Sequence, residues 1–369
     1  MIKPLTSLRF LFALLVFVSH LQFFRQDDEF FKTWHYHIFG EGFIGVSFFF
    51  ILSGFILSLN YDQRLLSGKI SYSEFWIARV ARIYPMHIVT LLLTIPLYWN
   101  DFFADLPFTT IKFLSNAALV HAFIPDWNYF FSFNSPSWSI SDEMFFYFAF
   151  PFIVWGLVRT KALLRFGWII FLIIPLQMYV ATNQDDFHKF FYINPFFRIV
   201  DFLLGITLHQ LYKANYFSIL HRSKLLASLA EVVAIASFVA VFHFHNSIPV
   251  IYRFSCYYWL PMALVILVFS YQNGVLSKAI SNRVCILLGE ISFSFYLLHQ
   301  VVIKYVENVN GIYQLISNDY VMTLVMFILS LVFSYIAHKS IELPLNYIIK
   351  QRYKRAVSAS MPAQEQVPA

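Results

Sequence analysis

Charge is what this sequence has least of. Asp, Glu, Lys and Arg make up 12% of its 369 residues, where a soluble globular domain carries about 25%. With 59% hydrophobic residues beside it, that shortfall excludes an ordinary soluble enzyme, a disordered chain and a nucleic-acid-binding domain. Cysteine is nearly missing. Cys256 and Cys285 are the only two and both lie in apolar runs, which excludes a disulfide framework. Glycine is scarce, at 11 residues, and no internal repeat is visible. Both facts count against a transporter or flippase for a glycolipid or small solute, because such proteins often pair Gly/Pro-broken helices in two halves. HExxH, P-loop, GxGxxG and GxSxG stretches are absent. The pairs His35/His37 and His243/His245 are a weak metal signal, and no metal is expected.

What is present is apolar length. A spanning helix needs about 20 mostly apolar residues. Ten such runs occur, at about 5–24, 42–60, 83–100, 140–158, 166–182, 198–213, 226–244, 254–271, 285–305 and 320–340. The first keeps Arg9 inside it and lacks a small-residue cleavage site, so it reads as a spanning helix and not a signal peptide. A shorter run, 111–125, holds Asn116 and His121 and reads as a re-entrant or interfacial helix in the third outer segment. With the N-terminus inside, the basic clusters Arg64/Lys69/Arg79/Arg82, Arg159/Lys161/Arg165, Lys213/Arg222/Lys224 and Lys278/Arg283 all fall on the cytoplasmic side, as the positive-inside rule requires. The expectation is an all-α integral membrane protein: a bundle of about ten transmembrane helices over 1–345, then a basic and finally disordered tail over 346–369, with both termini cytoplasmic. The net charge of +6 is then topology plus attraction to anionic lipid. The bilayer is the first partner and nucleic acid is not one.

Chemistry is therefore expected in the membrane, where polar residues are costly and are functional candidates by default. Arg9 and His20 are eleven residues apart, three turns plus roughly 20°, so they share one helix face about 16 Å apart. Histidine suits a general base near neutral pH. Snorkelling of Arg9 and interfacial capping by His20 are the plainer alternative. Arg79 and Arg82 lie one turn apart at the start of the third span. There they are either a phosphate clamp or a positive-inside anchor. Ser47, Ser53 and Gly54 are small residues that favour close helix approach. Ser139 and Asp142 fit a capping box. Glu143 lies deeper and needs a partner: Arg9, Arg198, a histidine or a substrate hydroxyl. Arg198 and Asp201 are spaced as an ion pair. Glu290, His299, Lys304, His338 and Glu342 are the remaining polar residues at depth.

Together these segments resemble acyltransferase family 3, membrane proteins that O-acylate extracytoplasmic acceptors. The likeness is carried by Arg9-x10-His20, Gly45–Phe55, Arg79-x-x-Arg82-Ile-Tyr-Pro85, Trp138-Ser-Ile-Ser-Asp-Glu143 with Phe145, Tyr147 and Pro151, Gly289–His299 and Glu342-Leu-Pro344. Asp142 departs from the family, which usually has a small apolar residue there. Some members carry an appended SGNH-type domain; the stand-alone form is expected here, and if an acceptor-handling partner is needed it would be a separate envelope protein. The resemblance implies transfer of an acyl group from cytoplasmic acyl-CoA, most often acetyl-CoA, to a hydroxyl of a surface glycan such as O-antigen or exopolysaccharide. It implies a bacterial inner-membrane location. His20, Arg9 and Glu143 would be catalytic, with Glu143 orienting His20. Arg79 and Arg82 would hold the donor. Trp138, Ser139, Ser141, Tyr147 and His299 would line the acceptor site. Acyl-CoA is the donor substrate and no bound cofactor is expected.

Overall fold

The computed structural model describes residues 2–21, 29–182 and 187–360. Among these residues there is no strand. Twelve helices position the site: α1 (Lys3–Ser19), α2 (Ile44–Leu66), α3 (Tyr72–Thr94), α4 (Leu106–Ala117), α5 (Trp138–Ile153), α6 (Ala162–Ala181), α7 (Pro195–Lys213), α8 (Lys224–His243), α9 (Trp259–Ser270), α10 (Arg283–Tyr313), α11 (Asp319–Ala337) and α12 (Leu343–Ser360). Each of the ten apolar runs falls on one of them. Seven helices among the described residues are long and apolar enough to cross a membrane. The other three runs fall short for identifiable reasons. The helix α1 has 17 residues, α9 has 12, and α7 carries Arg198, Asp201, His209 and Lys213 within its 19.

Two boundaries differ from the sequence reading. The third run begins near residue 83, but α3 starts at Tyr72, where the Ser71 hydroxyl accepts from the Glu74 amide at 3.1 Å. That polar first turn hides the helix start from a hydropathy count. The expected tail boundary at 345/346 falls inside α12, whose Tyr353 hydroxyl bonds Ser73 at 2.8 Å at the start of α3. Residues 361–369 lie outside the described chain. The helix α4, in the expected re-entrant segment, has 12 residues, about 18 Å of rise, too short to span alone.

The bundle is organised around α2, which packs on α1, α5, α7 and α9. Its approach to α7 is unusually close. A Cβ on Gly205 would lie 1.8 Å from the Ile51 carbonyl oxygen, and one on Gly54 would lie 2.0 Å from that of Phe202. These two glycines let the backbones touch. Elsewhere the seams are aromatic: Phe12 stacks on Phe48 at 3.6 Å between α1 and α2, and Phe10 meets Phe295 at 5.4 Å between α1 and α10.

Candidate active site

The inner faces of α1, α2, α3, α5 and α10 enclose a cavity of about 170 Å³. Its charged lining is Arg9, Arg79, Arg82 and Glu143, with the hydroxyls of Ser53, Ser139, Tyr147, Ser292 and Tyr296 beside them. Helical spacing explains the convergence. Arg79 and Arg82 are one turn apart on α3, and Glu143 and Tyr147 are one turn apart on α5. Glu143 accepts from Ser53 at 3.1 Å and from the Tyr147 hydroxyl. Arg9 faces this pair closely enough to feel the charge of Glu143. Arg79 donates to the Tyr61 hydroxyl at 2.7 Å and lies over the Tyr61 ring at 4.9 Å and the Tyr147 ring at 5.8 Å. Its charge is thus held by aromatic faces.

Arg9 and Arg82 also line a second cavity of about 540 Å³, with Asn60, Glu290, His338 and Lys339. The two guanidiniums therefore stand between the two spaces and line both. Arg82 is ion-paired with Glu342, whose side chain is 0% exposed. The second carboxylate oxygen accepts from Ser294 at 2.6 Å and lies 3.0 Å from His338 Nδ1. The backbone widens into a π turn over His338–Glu342, with Glu342 facing Arg82 and Ser294. Neither Glu342 nor Ser294 was singled out as a site residue in the sequence. The signals were Glu342 as a polar residue at membrane depth and at the head of the last family segment, and Ser294 inside the Gly289–His299 segment.

His20 stands at the C-terminal cap of α1 and is half-buried. Its Nδ1 lies 2.8 Å from the Val16 carbonyl oxygen and 3.4 Å from Nε2 of His299. Glu143, expected to orient His20, is instead bonded to Ser53 and Tyr147 beside Arg9. The physical reason is the axial distance: Glu143 meets α1 near Arg9, three turns from His20. His20 is not among the residues lining this cavity; Ser139 and Tyr296 are, and their hydroxyls bond each other at 2.7 Å. His299 lies one turn beyond Tyr296 on α10.

Of the expected acceptor residues, Ser139 and Tyr147 line the cavity, whereas Trp138, Ser141 and His299 are buried outside its lining. Trp138 packs against Tyr192 at 4.7 Å. Ser141 donates to the Leu119 carbonyl at 2.6 Å. The capping box does not form. Ser139 donates to the Pro136 carbonyl at 3.0 Å, and α5 begins without a side-chain cap. Asp142 points instead into the protein beside Arg198, and neither of its oxygens has a hydrogen-bond partner. Arg198 and Asp201 do pair, at 2.9 Å. The α4 segment buttresses the start of α5: Ser137 bonds Asn116 at 3.3 Å and His121 at 3.2 Å. No group of three or more metal-ligating side chains occurs among the described residues. His245 is tied to Phe242 and Glu41, and the side chain of His35 lies outside the described residues.

A family model described as an acyltransferase domain matches residues 4–339. The chain is 30% identical over 330 residues to the acyltransferase MdmB of Streptomyces mycarofaciens, covering 84% of this chain and 81% of that protein. It is 25% identical over 297 residues to the peptidoglycan O-acetyltransferase OatA of Listeria monocytogenes, covering 71% of this chain and 45% of OatA. The chain thus spans about half of that longer relative. No solved structure matches significantly. The match from the first helix to the last apolar run, over a helical bundle with a charged cavity at its centre, places this chain in acyltransferase family 3 as a multi-pass membrane protein.

Proposed function

We propose that this protein transfers an acyl group, acetyl by family expectation, from cytoplasmic acyl-CoA to a hydroxyl of an extracytoplasmic glycan. The observation that carries this reading is the meeting of Arg9, Arg79 and Arg82 on one cavity, with Arg9 and Arg82 also lining a neighbouring cavity beside Lys339. Four cations against Glu143, Glu290 and Glu342 leave a surplus suited to a polyphosphate, and guanidinium forks match phosphate oxygens. The basic residues near that end favour its facing the cytoplasm, where CoA is found.

The reading uses ten crossings in the bacterial inner membrane, both termini in the cytoplasm and α4 re-entrant. The short helices are compatible with it. At 1.5 Å per residue α1 rises about 26 Å, close to the hydrocarbon thickness, and α7 carries its charges as the Arg198–Asp201 pair. Arg79, Arg82 and Lys339 would bind the donor phosphates, and Arg9 would receive the thioester end, held in place by Glu143. His20 would take the acceptor proton. The hydroxyl oxygen attacks the thioester carbonyl, the C–S bond breaks, and the proton passes from His20 to the leaving CoA thiolate. Contact between thioester and His20 requires the Ser139–Tyr296 pair to part. A transient acyl group on His20 is the two-step variant of the same scheme.

The test uses washed membranes from cells expressing wild type or His20→Ala, supplied with radiolabelled acetyl-CoA and isolated surface glycan. The expected result is alkali-labile label on the glycan that falls 10²–10⁴-fold in the variant, the usual contribution of a positioned base. Equal labelling by a normally expressed variant would overturn the assignment of His20. No acetyl-CoA consumption by folded wild type would overturn the donor.

A further inference from the structure

Part of the seam between α1 and α10 is built from aromatic rings. Phe10 and Phe17 meet Phe295 at 5.4 and 5.7 Å, and one turn further along α10 the seam is filled by His299. His299 is 0% exposed. Around it stand the rings of Phe17, Phe295 and Tyr296, with centroids at 6.2, 6.1 and 5.9 Å. A phenylalanine or leucine would fill such a seam without the cost of burying ring nitrogens. The histidine is therefore not explained by packing.

Its two nitrogens have distinct partners. Nδ1 lies 3.2 Å from the Phe295 carbonyl oxygen, and Nε2 lies 3.4 Å from His20 Nδ1. A carbonyl can only accept, so the proton of neutral His299 belongs on Nδ1 and its lone pair on Nε2. The same logic applies across the seam. His20 Nδ1 lies 2.8 Å from the Val16 carbonyl oxygen, so His20 also carries its proton on Nδ1. That N–H is then shared between the Val16 carbonyl and His299 Nε2, and the basic lone pair of His20 is on its Nε2.

We infer that His299 is the positioning residue for His20: its Nε2 accepts the Nδ1–H of His20, orients that imidazole for proton abstraction and shares the charge when His20 becomes imidazolium. This rests on the acyl-transfer reading above and gives His299 the part that a carboxylate plays in a hydrolase triad. The 3.4 Å separation is long for a hydrogen bond. Catalytic contacts commonly tighten once substrate is bound.

Three forms of the full-length protein in lipid nanodiscs test this: wild type, His299→Gln, whose side-chain carbonyl can accept, and His299→Leu, which cannot. The functional readout is acetyl-CoA turnover with isolated glycan. The expected result is kcat at least 10-fold lower in His299→Leu with KM for acetyl-CoA unchanged, and substantial recovery of kcat in His299→Gln. A structural readout needs no turnover. In ¹⁵N-histidine-labelled protein, solid-state NMR should show a through-space contact between His20 and His299 ring nitrogens, assigned by its loss in His20→Gln. The proposal is overturned if that contact is missing in wild type, if His299→Leu keeps more than a third of wild-type kcat, or if folded His299→Gln recovers no more than His299→Leu. Wild type that consumes no acetyl-CoA yet shows the nitrogen contact would refute acetyl-CoA as the donor while leaving the pairing itself in place.

Discussion

Glu342→Ala should be among the most damaging single substitutions in this chain. The carboxylate is fully enclosed, pairs with Arg82 and accepts from Ser294 at 2.6 Å, with His338 Nδ1 3.0 Å away. Removing one partner of a buried ion pair costs about 3–5 kcal/mol, because the remaining charge is left uncompensated. The Arg82 side chain keeps 27% of its exposure, so solvent in the second cavity screens part of that loss, and about 2–3 kcal/mol is the better figure. A double-mutant cycle separates stability from function. Arg82→Leu with Glu342→Leu removes both charges and should regain most of the lost stability, giving a coupling energy of about 2 kcal/mol. The double variant should nonetheless bind acetyl-CoA poorly, because one of the cavity's guanidiniums is gone. The assay is thermal unfolding in nanodiscs together with KM for acetyl-CoA. A coupling energy below about 0.5 kcal/mol would refute the ion-pair argument. An unchanged KM in the double variant would refute the role of Arg82 in donor binding.

Other substitutions probe the frame around the site. Gly205→Ala places a methyl group 1.8 Å from the Ile51 carbonyl oxygen, so α2 and α7 must separate; overpacking of this kind costs about 1–3 kcal/mol. It should also weaken transfer, since Ser53 on α2 bonds Glu143, and a lowered melting temperature with lowered turnover is the expected reading. Asp142→Ala should leave stability unchanged or raise it by about 1 kcal/mol, because the carboxylate is buried without a hydrogen bond and such groups carry a desolvation cost; a drop of more than about 2 kcal/mol would show that the charge of Arg198 beside it outweighs that cost. His188, outside the seven spanning helices, stacks on Trp127 at 5.0 Å, and burial pushes its pKa down to about 4. Below pH 6.5 the unfolded chain takes up a proton that the folded chain refuses until about pH 4, so stability is full above 6.5 and falls by up to about 1.4 kcal/mol per pH unit beneath it. His188→Phe should flatten that acid limb in unfolding measured between pH 5 and 7.5.

The sequence was most legible where the reasoning stayed within one helix. Apolar length found a helix for all ten runs, and the helical period put Arg79 with Arg82, and Arg198 with Asp201, on common faces. It was least legible across helices. Arg82 finds Glu342 260 residues away, and His20 finds His299 279 residues away, pairings that depend on which helices become neighbours. Periodicity does not encode that. Glu143 is the instructive case. Its burial correctly required a partner, and Arg9 was among those considered, but assigning it to His20 ignored the three helical turns between Arg9 and His20. The capping-box pattern at Ser139 failed for another reason. Residues 135–137 already form a 3₁₀ turn leading into α5, so the chain enters that helix with no open first turn for Ser139 to cap.

The central claim is that the arginine-lined cavity takes acyl-CoA from the cytoplasmic side. Membrane-impermeant radiolabelled acetyl-CoA, offered separately to sealed inverted and right-side-out vesicles, tests it most directly, with Arg79→Gln as the control for the cavity. Consumption confined to inverted vesicles and at least 10-fold lower in the variant is the predicted result. Equal consumption from both faces, or an Arg79→Gln protein indistinguishable from wild type, would contradict the account.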